Sequence, residues 1–246
     1  MRYDDWAPLY ERIRASLGFE WEREVRAREL LESLVPERRA ETTLGEAARR
    51  LGGRTVVIVG LAPGAGPPPV WRLPAGVPPA LIAADGAAAV CLDAGLVPDV
   101  VVTDLDGPVA SEVTAESRGA LLIVHAHGDN LEALRRWVPE LSSRAGASWA
   151  GPPTAICLNV GGFTDGDRGA YLAGHAKAAR ILLWGFDFGR ADDADPAGRV
   201  RKIGKLRWAR AALDRLATVG ATPLHVWRRD GSIVPYAPAA EPESTQ

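Results

Sequence analysis

Five short runs, TVVIVG (55–60), ALIAAD (80–85), DVVVTD (99–104), ALLIVHA (120–126) and RILLWG (180–185), decide the fold. Each is continuously apolar up to its polar end, the pattern of a strand covered on both faces rather than on one. AICLNV (155–160) and PLHVW (223–227) extend the series. Helical patterns separate the runs, around 87–95, 109–118, 130–142, 167–178 and 203–219. Alternation of strand and helix predicts an α/β fold, doubly wound, with a mainly parallel sheet.

Upstream, residues 4–53 read as helical. Trp6, Leu9, Tyr10, Ile13 and Leu17 recur at spacings of three and four, and Leu30, Leu31, Leu34 and Val35 carry a second amphipathic stretch to Pro36. A third helix, about 43–51, stops at Gly52-Gly53. The expected organisation is an N-terminal helical cap (1–53) without recognisable chemistry, a nucleotide-binding catalytic domain (54–236), and a disordered tail, APAAEPESTQ (237–246).

The chain has 246 residues, long enough to bury a substantial core. Its 29 basic and 31 acidic residues leave a net charge of -2, which argues against a dedicated nucleic-acid binder. Cys91 and Cys157 sit in apolar runs without metal or redox spacing and read as buried hydrophobes. The charged N-terminus lacks a signal core and no stretch is apolar enough to span a membrane, so a soluble, cytoplasmic protein is expected. Only three basic residues are lysine: Lys177, Lys202 and Lys205. Two of them fall in RKIGKLR (201–207), three apart and therefore on one helix face.

Ligands of open parallel sheets bind beyond the carboxyl ends of the strands. The residues just after each run are therefore informative. Asp85-Gly86 ends one; Asp104, Asp106 and Gly107 end the next. HAHGDN (125–130) carries His125, His127 and Asp129, GGFTDGDR (161–168) carries Asp165, Asp167 and Arg168, and GFDFG (185–189) carries Asp187. Carboxylates gathered this densely repel unless a cation sits among them, and Mg²⁺ answers with carboxylate, water and phosphate ligands. Asp104 and Asp106, two apart at a strand end, point to one side. Glycines allow close phosphate approach, so Gly60, Gly64 of the 60–66 loop, and Gly86 are candidate nucleotide contacts. That loop matches neither a P-loop nor GxGxxG. His127 is a candidate phosphate contact, and Arg168, Lys202 and Lys205 are candidate counter-charges.

AADGA (83–87) followed by GLVPDVVVTDLDG (95–107) resembles the thiamin pyrophosphokinase pattern. With HAHGDN, GGFTDGDR, GFDFG and RKIGKLRWA (201–209), the whole series more closely resembles the archaeal-type 6-hydroxymethyl-7,8-dihydropterin pyrophosphokinase family, related to the wider DUF115 group, across about 55–217. The resemblance implies an ATP-dependent diphosphotransferase. With Mg²⁺ it would move diphosphate from ATP to a reduced pterin in archaeal tetrahydromethanopterin or folate biosynthesis, releasing AMP. By position, Asp104, Asp106 and Asp129 would bind Mg²⁺. Asp85, Asp165 or Asp167 would orient the nucleophile or a second ion, and Arg168, Lys202 and Lys205 would neutralise phosphates. Partners would be ATP and the pterin alone, without nucleic acid or membrane; a homo-oligomer is compatible. Little chain follows Val226 beyond a short hairpin at Asp230-Gly231, which disfavours thiamin as acceptor. The alternatives are a thiamin diphosphokinase and a non-catalytic nucleotide- or sugar-nucleotide-binding module.

Overall fold

The structure, a computed structural model, describes residues 3–35, 37–74, 76–142, 144–191 and 195–239. Pro36, Asp192 and Asp193 of the acidic loop, and 240–246 of the tail lie outside the described residues. Three helices open the chain: α1 (Tyr3–Leu17), α2 (Trp21–Leu34) and α3 (Ala40–Leu51). Then come β1 (Thr55–Val59), β2 (Ala80–Ala84), α4 (Ala87–Asp93), β3 (Val100–Thr103), α5 (Val109–Ser117), β4 (Leu121–Ala126) and α6 (Leu131–Trp137). The second half holds β5 (Gly146–Trp149), β6 (Cys157–Leu158), α7 (Asp165–His175), β7 (Arg180–Trp184), α8 (Pro196–Val219), β8 (Leu224–Trp227) and β9 (Ile233–Pro235).

All nine strands form one sheet in the order β6-β5-β4-β3-β2-β1-β7-β8-β9. Every pairing is parallel except the terminal β8–β9 hairpin. Continuous apolarity has the expected consequence. Val56, Ile58, Ile82, Val102 and Ile123 enter one core with Trp6, Ile13, Leu51, Tyr171 and Leu213. Their neighbours Val57, Val59, Ala83, Val101 and Leu122 enter a second core with Ala27, Leu31, Cys91, Ala115 and Leu134. Successive side chains of a strand point to opposite faces, so helices must cover both.

Several elements depart from expectation. The 155–160 run keeps only two residues in the ladder. Asn159 pulls the chain away: its Nδ2 donates to Ala150 O and Gly151 O, and its Oδ1 accepts from Gly161 N–H. Strand β5 escapes a search for apolar runs because Gly146 and Ser148 interrupt it; the buried Ser148 hydroxyl is satisfied by His125 and Val124. Helix α8 starts seven residues earlier than its pattern suggests. Asp195 caps it by accepting from Ala197 and Gly198 N–H, with Pro196 at the first turn. Helix α3 likewise starts at Ala40.

The N-terminal helices are built into both cores. Trp6 is fully buried with its ring edge-on to Tyr171, centroids 5.4 Å apart. No helix among the described residues is long and apolar enough to cross a membrane. Trp6→Ala should therefore destabilise the whole domain by about 3–5 kcal/mol. Chemical denaturation followed by far-UV circular dichroism checks this; an unchanged main transition would mean that α1 folds as a detachable cap.

Candidate active site

Strand order reverses between β1 and β7, where open sheets usually bind their ligands. Here that crevice is closed. Gly60 N–H donates to Trp184 O and Trp184 Nε1 to Gly66 O, both at 2.8 Å. A Cβ on Gly60 would lie 2.8 Å from Gly185 O and 3.2 Å from the Phe186 ring. Gly64, at φ +74°, turns the loop against Arg229. Gly60 and Gly64 thus allow backbone packing at the switch point and are not among the residues that line the carboxylate cleft. Gly86 packs on Pro108 and Leu61 at the start of α4.

The cleft, about 420 Å³, opens instead beyond β2, β3 and β4. Asp85, Asp104 and Asp106 meet there: one oxygen from each lies within 4.8 Å of the others. Their grouping depends on two left-handed residues, Asp85 (φ 46°) and Leu105 (φ 65°). Leu105 is the costlier, because a bulky side chain disfavours this region. It is pinned by Thr103, whose Oγ1 accepts Leu105 N–H at 2.8 Å and donates to Asp85 Oδ1 at 3.0 Å. The left-handed turn, rather than strand alternation, brings Asp104 and Asp106 together. Gly107 completes the arrangement: a Cβ there would fall 2.2 Å from Asp85 Oδ2.

Asn130 joins the neighbouring strand ends. Its Nδ2 donates to Asp104 O and His125 O, both at 2.8 Å, and its Oδ1 accepts from His127 N–H at 3.1 Å. His127 Nδ1 accepts from Asp129 N–H, which leaves the proton on Nε2 to donate to Asp104 Oδ2 at 3.2 Å. Burial pushes the Asp104 carboxyl up, but this hydrogen bond and the positive charge of Arg168 hold it below its ordinary range. Asp106 goes the other way, raised by burial and by the charges of Asp104 and Asp85. Asp165 lines the cleft 3.4 Å from Arg168 and is raised by burial, then by Asp104. Behind the cluster, fully buried Glu112 on α5 is pushed up to about 9 by burial and by Asp85. An all-oxygen set of three crowded carboxylates suits a hard divalent cation.

Across the cleft, α8 contributes Arg201, Lys202 and Lys205, and α7 contributes Arg168. Lys202 and Lys205 are brought together as their three-residue spacing suggested, with Arg201 beside them.

Two of the carboxylates expected in the site, Asp129 and Asp167, are placed elsewhere, and the strand-end Asp187 is used locally. Asp129 turns outward to Arg23 at 3.1 Å with its side chain 59% exposed, because the chain bends at Gly128, whose N–H donates to Glu24 Oε1. Asp85 takes its place in the cluster. Asp167 is fully buried in a capping box at the start of α7, accepting from the Phe163 and Thr164 backbones and the Thr164 hydroxyl, so it holds a helix rather than a nucleophile. Asp187 closes its own turn by accepting from Gly189 N–H.

Tyr10, Phe19 and Glu24, from the segment expected to lack chemistry, line the cleft too. One signal was available: Glu24 sits on the apolar stripe of α2 with the fully buried Ala27 and Leu31, a carboxylate where a hydrophobe belongs.

A family model described as 6-hydroxymethylpterin diphosphokinase MptE-like matches residues 78–193. That span includes Asp85, Asp104, Asp106, Asp165 and Arg168. The chain is 38% identical over 231 residues to the 6-hydroxymethyl-7,8-dihydropterin pyrophosphokinase of Pyrococcus furiosus, covering 89% of this chain and 96% of the relative. It is 40% identical over 161 residues to the protein of that name from Methanothermobacter thermautotrophicus, covering 61% and 68%. For the one from Methanocaldococcus jannaschii the identity is 31% over 200 residues, covering 77% and 81%.

Asp106→Asn removes one of three mutually repelling charges. The metal-free variant should melt a few degrees above wild type, and should show none of the rise in Tm on adding Mg²⁺ that is expected of the wild-type protein. Differential scanning calorimetry with and without Mg²⁺ reads both; a variant still stabilised by Mg²⁺ would remove Asp106 from the cation site.

Proposed function

Because the chain belongs to the MptE-like family of 6-hydroxymethylpterin diphosphokinases, we propose that it moves a diphosphoryl group from ATP to 6-hydroxymethyl-7,8-dihydropterin. The hydroxymethyl oxygen forms a bond to the β-phosphorus, the bond from that phosphorus to the α,β-bridging oxygen breaks, AMP departs, and the hydroxyl proton is released. Such a step serves the synthesis of tetrahydromethanopterin or folate cofactors. The observation that carries the reading is the cleft itself: three carboxylates from two strand-end loops face three cations of one helix.

Asp85, Asp104 and Asp106 would hold Mg²⁺, which when bound neutralises phosphate charge and fixes the polyphosphate chain. Asp104, kept ionised and aimed by His127 Nε2–H, is ready to act without reorganising. Lys202 and Lys205 are point charges suited to phosphate oxygens; Arg168 and Arg201 add planar donors. Asp165, beside Arg168, orients the attacking hydroxyl. Loose phosphoryl transition states need little proton transfer, so positioning and charge neutralisation dominate.

With ATP, Mg²⁺ and 6-hydroxymethyl-7,8-dihydropterin, chromatography of the products should show AMP and pterin diphosphate in equal amounts. ADP as the nucleotide product, or turnover with thiamin in place of the pterin, would overturn the reading. Asp104→Asn should lower kcat by about 10²–10³-fold with circular dichroism unchanged. A non-catalytic binding module would instead show no AMP from wild type and only weaker Mg²⁺-nucleotide affinity in the variant.

A further inference from the structure

The two ends of the cleft differ chemically. The side toward α8 carries Arg201, Lys202 and Lys205, facing the carboxylate cluster. The end toward the N-terminal helices is walled by Tyr10, Phe19 and Phe163, with the Phe19 and Phe163 rings 6.3 Å apart. Two buried polar side chains line the same cleft, Glu24 from α2 and His125 from the end of β4, both within reach of the Arg168 charge.

As a carboxylate and an imidazole protonated on Nδ1, both offer hydrogen-bond acceptors. Glu24 is 4% exposed, and its Oε1 takes Gly128 N–H at 3.0 Å. His125 is 2% exposed. Its Nδ1 lies 3.0 Å from Ser148 Oγ; with the Ser148 hydroxyl donating to Val124 O at 3.2 Å, the ring proton sits on Nδ1. The other ring nitrogen, Nε2, is buried without a hydrogen-bond partner among the described residues, and in this tautomer it is an acceptor. A buried acceptor without a donor is costly and points to a ligand that supplies one.

We propose that the aromatic end holds the heterocycle of the acceptor substrate, with Glu24 and His125 reading its N–H donors. The inference rests on the pterin reading above and assigns that ring its place. A dihydropterin has an amino group at C2 next to N3–H, two parallel donors that match a carboxylate as a guanidinium does, and a third donor at N8. Adenine suits this end poorly: its one amino group is flanked by ring acceptors that would face the lone pairs of Glu24. The nucleotide therefore lies with its phosphates toward α8, and the acceptor enters from the N-terminal helices. On this reading those helices set substrate specificity.

The test is Glu24→Gln. A glutamine oxygen still accepts from Gly128 N–H, so the loop is kept, but an amide N–H₂ now meets the donors of the pterin. Binding is measured by titration calorimetry with 6-hydroxymethyl-7,8-dihydropterin, and separately with Mg²⁺ and a non-hydrolysable ATP analogue. The expected result is at least about a tenfold rise in Kd and KM for the pterin, with the nucleotide Kd unchanged. The 2-oxo analogue of the pterin, which offers an acceptor where the amino group stood, should gain on the pterin in this variant relative to wild type. His125→Phe keeps a ring of similar size, removes the lone pair, and should also weaken pterin alone. Unchanged pterin affinity in Glu24→Gln would overturn the inference and leave Glu24 as a loop ligand. A loss confined to the nucleotide would overturn it by placing adenine there. Wild-type protein that binds no dihydropterin would instead defeat the proposed function, and this inference with it.

Discussion

Three carboxylate oxygens held within 4.8 Å of one another repel, and the cleft is organised around that repulsion. Charge opposes the meeting of the Asp85, Asp104 and Asp106 side chains. Backbone does the gathering: left-handed turns at Asp85 and Leu105, a shared Thr103 hydroxyl, and a glycine at 107 where any Cβ would strike Asp85. Strain of this kind persists only where surrounding structure over-determines it. Asn130 supplies much of that restraint by stapling the ends of β3 and β4 through their carbonyls.

The helices then divide the labour. The C-terminal helix α8 brings three cations on one face, capped by Asp195 so that its first turn stays in register with the cleft. From the N-terminal side α1 and α2 bring aromatic rings and a buried carboxylate. Charge and apolarity are therefore separated along one cavity, the arrangement a substrate pair needs when one member is a polyanion and the other a flat ring. That α1 and α2 also fill the two cores means the substrate wall cannot move without disturbing the fold.

The α/β class, seven of the nine strands and the five downstream helices were legible in sequence, because strands buried on both faces leave unbroken apolar runs. So was the gathering of carboxylates at one sheet edge, and the membership of Asp104, Asp106, Asp165, Arg168, Lys202 and Lys205 in one cleft. Strand β5 was not, since a buried serine satisfied by a neighbouring histidine looks polar in sequence. Asp129 and Asp167 were read as site residues because Asp-Gly turns, capping boxes and metal ligands draw on the same residue types.

The strand-helix alternation and the chemical inventory of the loops are local properties, set by periodicity and residue type, and sequence alone determined them. Which carboxylates face a common point was decided only by tertiary structure. A one-residue bend at Gly128 sends Asp129 to Arg23, and a left-handed Leu105 turns Asp106 inward. The role of Tyr10, Phe19 and Glu24 is equally non-local: about sixty residues and one sheet edge separate Glu24 from Asp85, and only packing of α2 on the sheet brings them to one cavity.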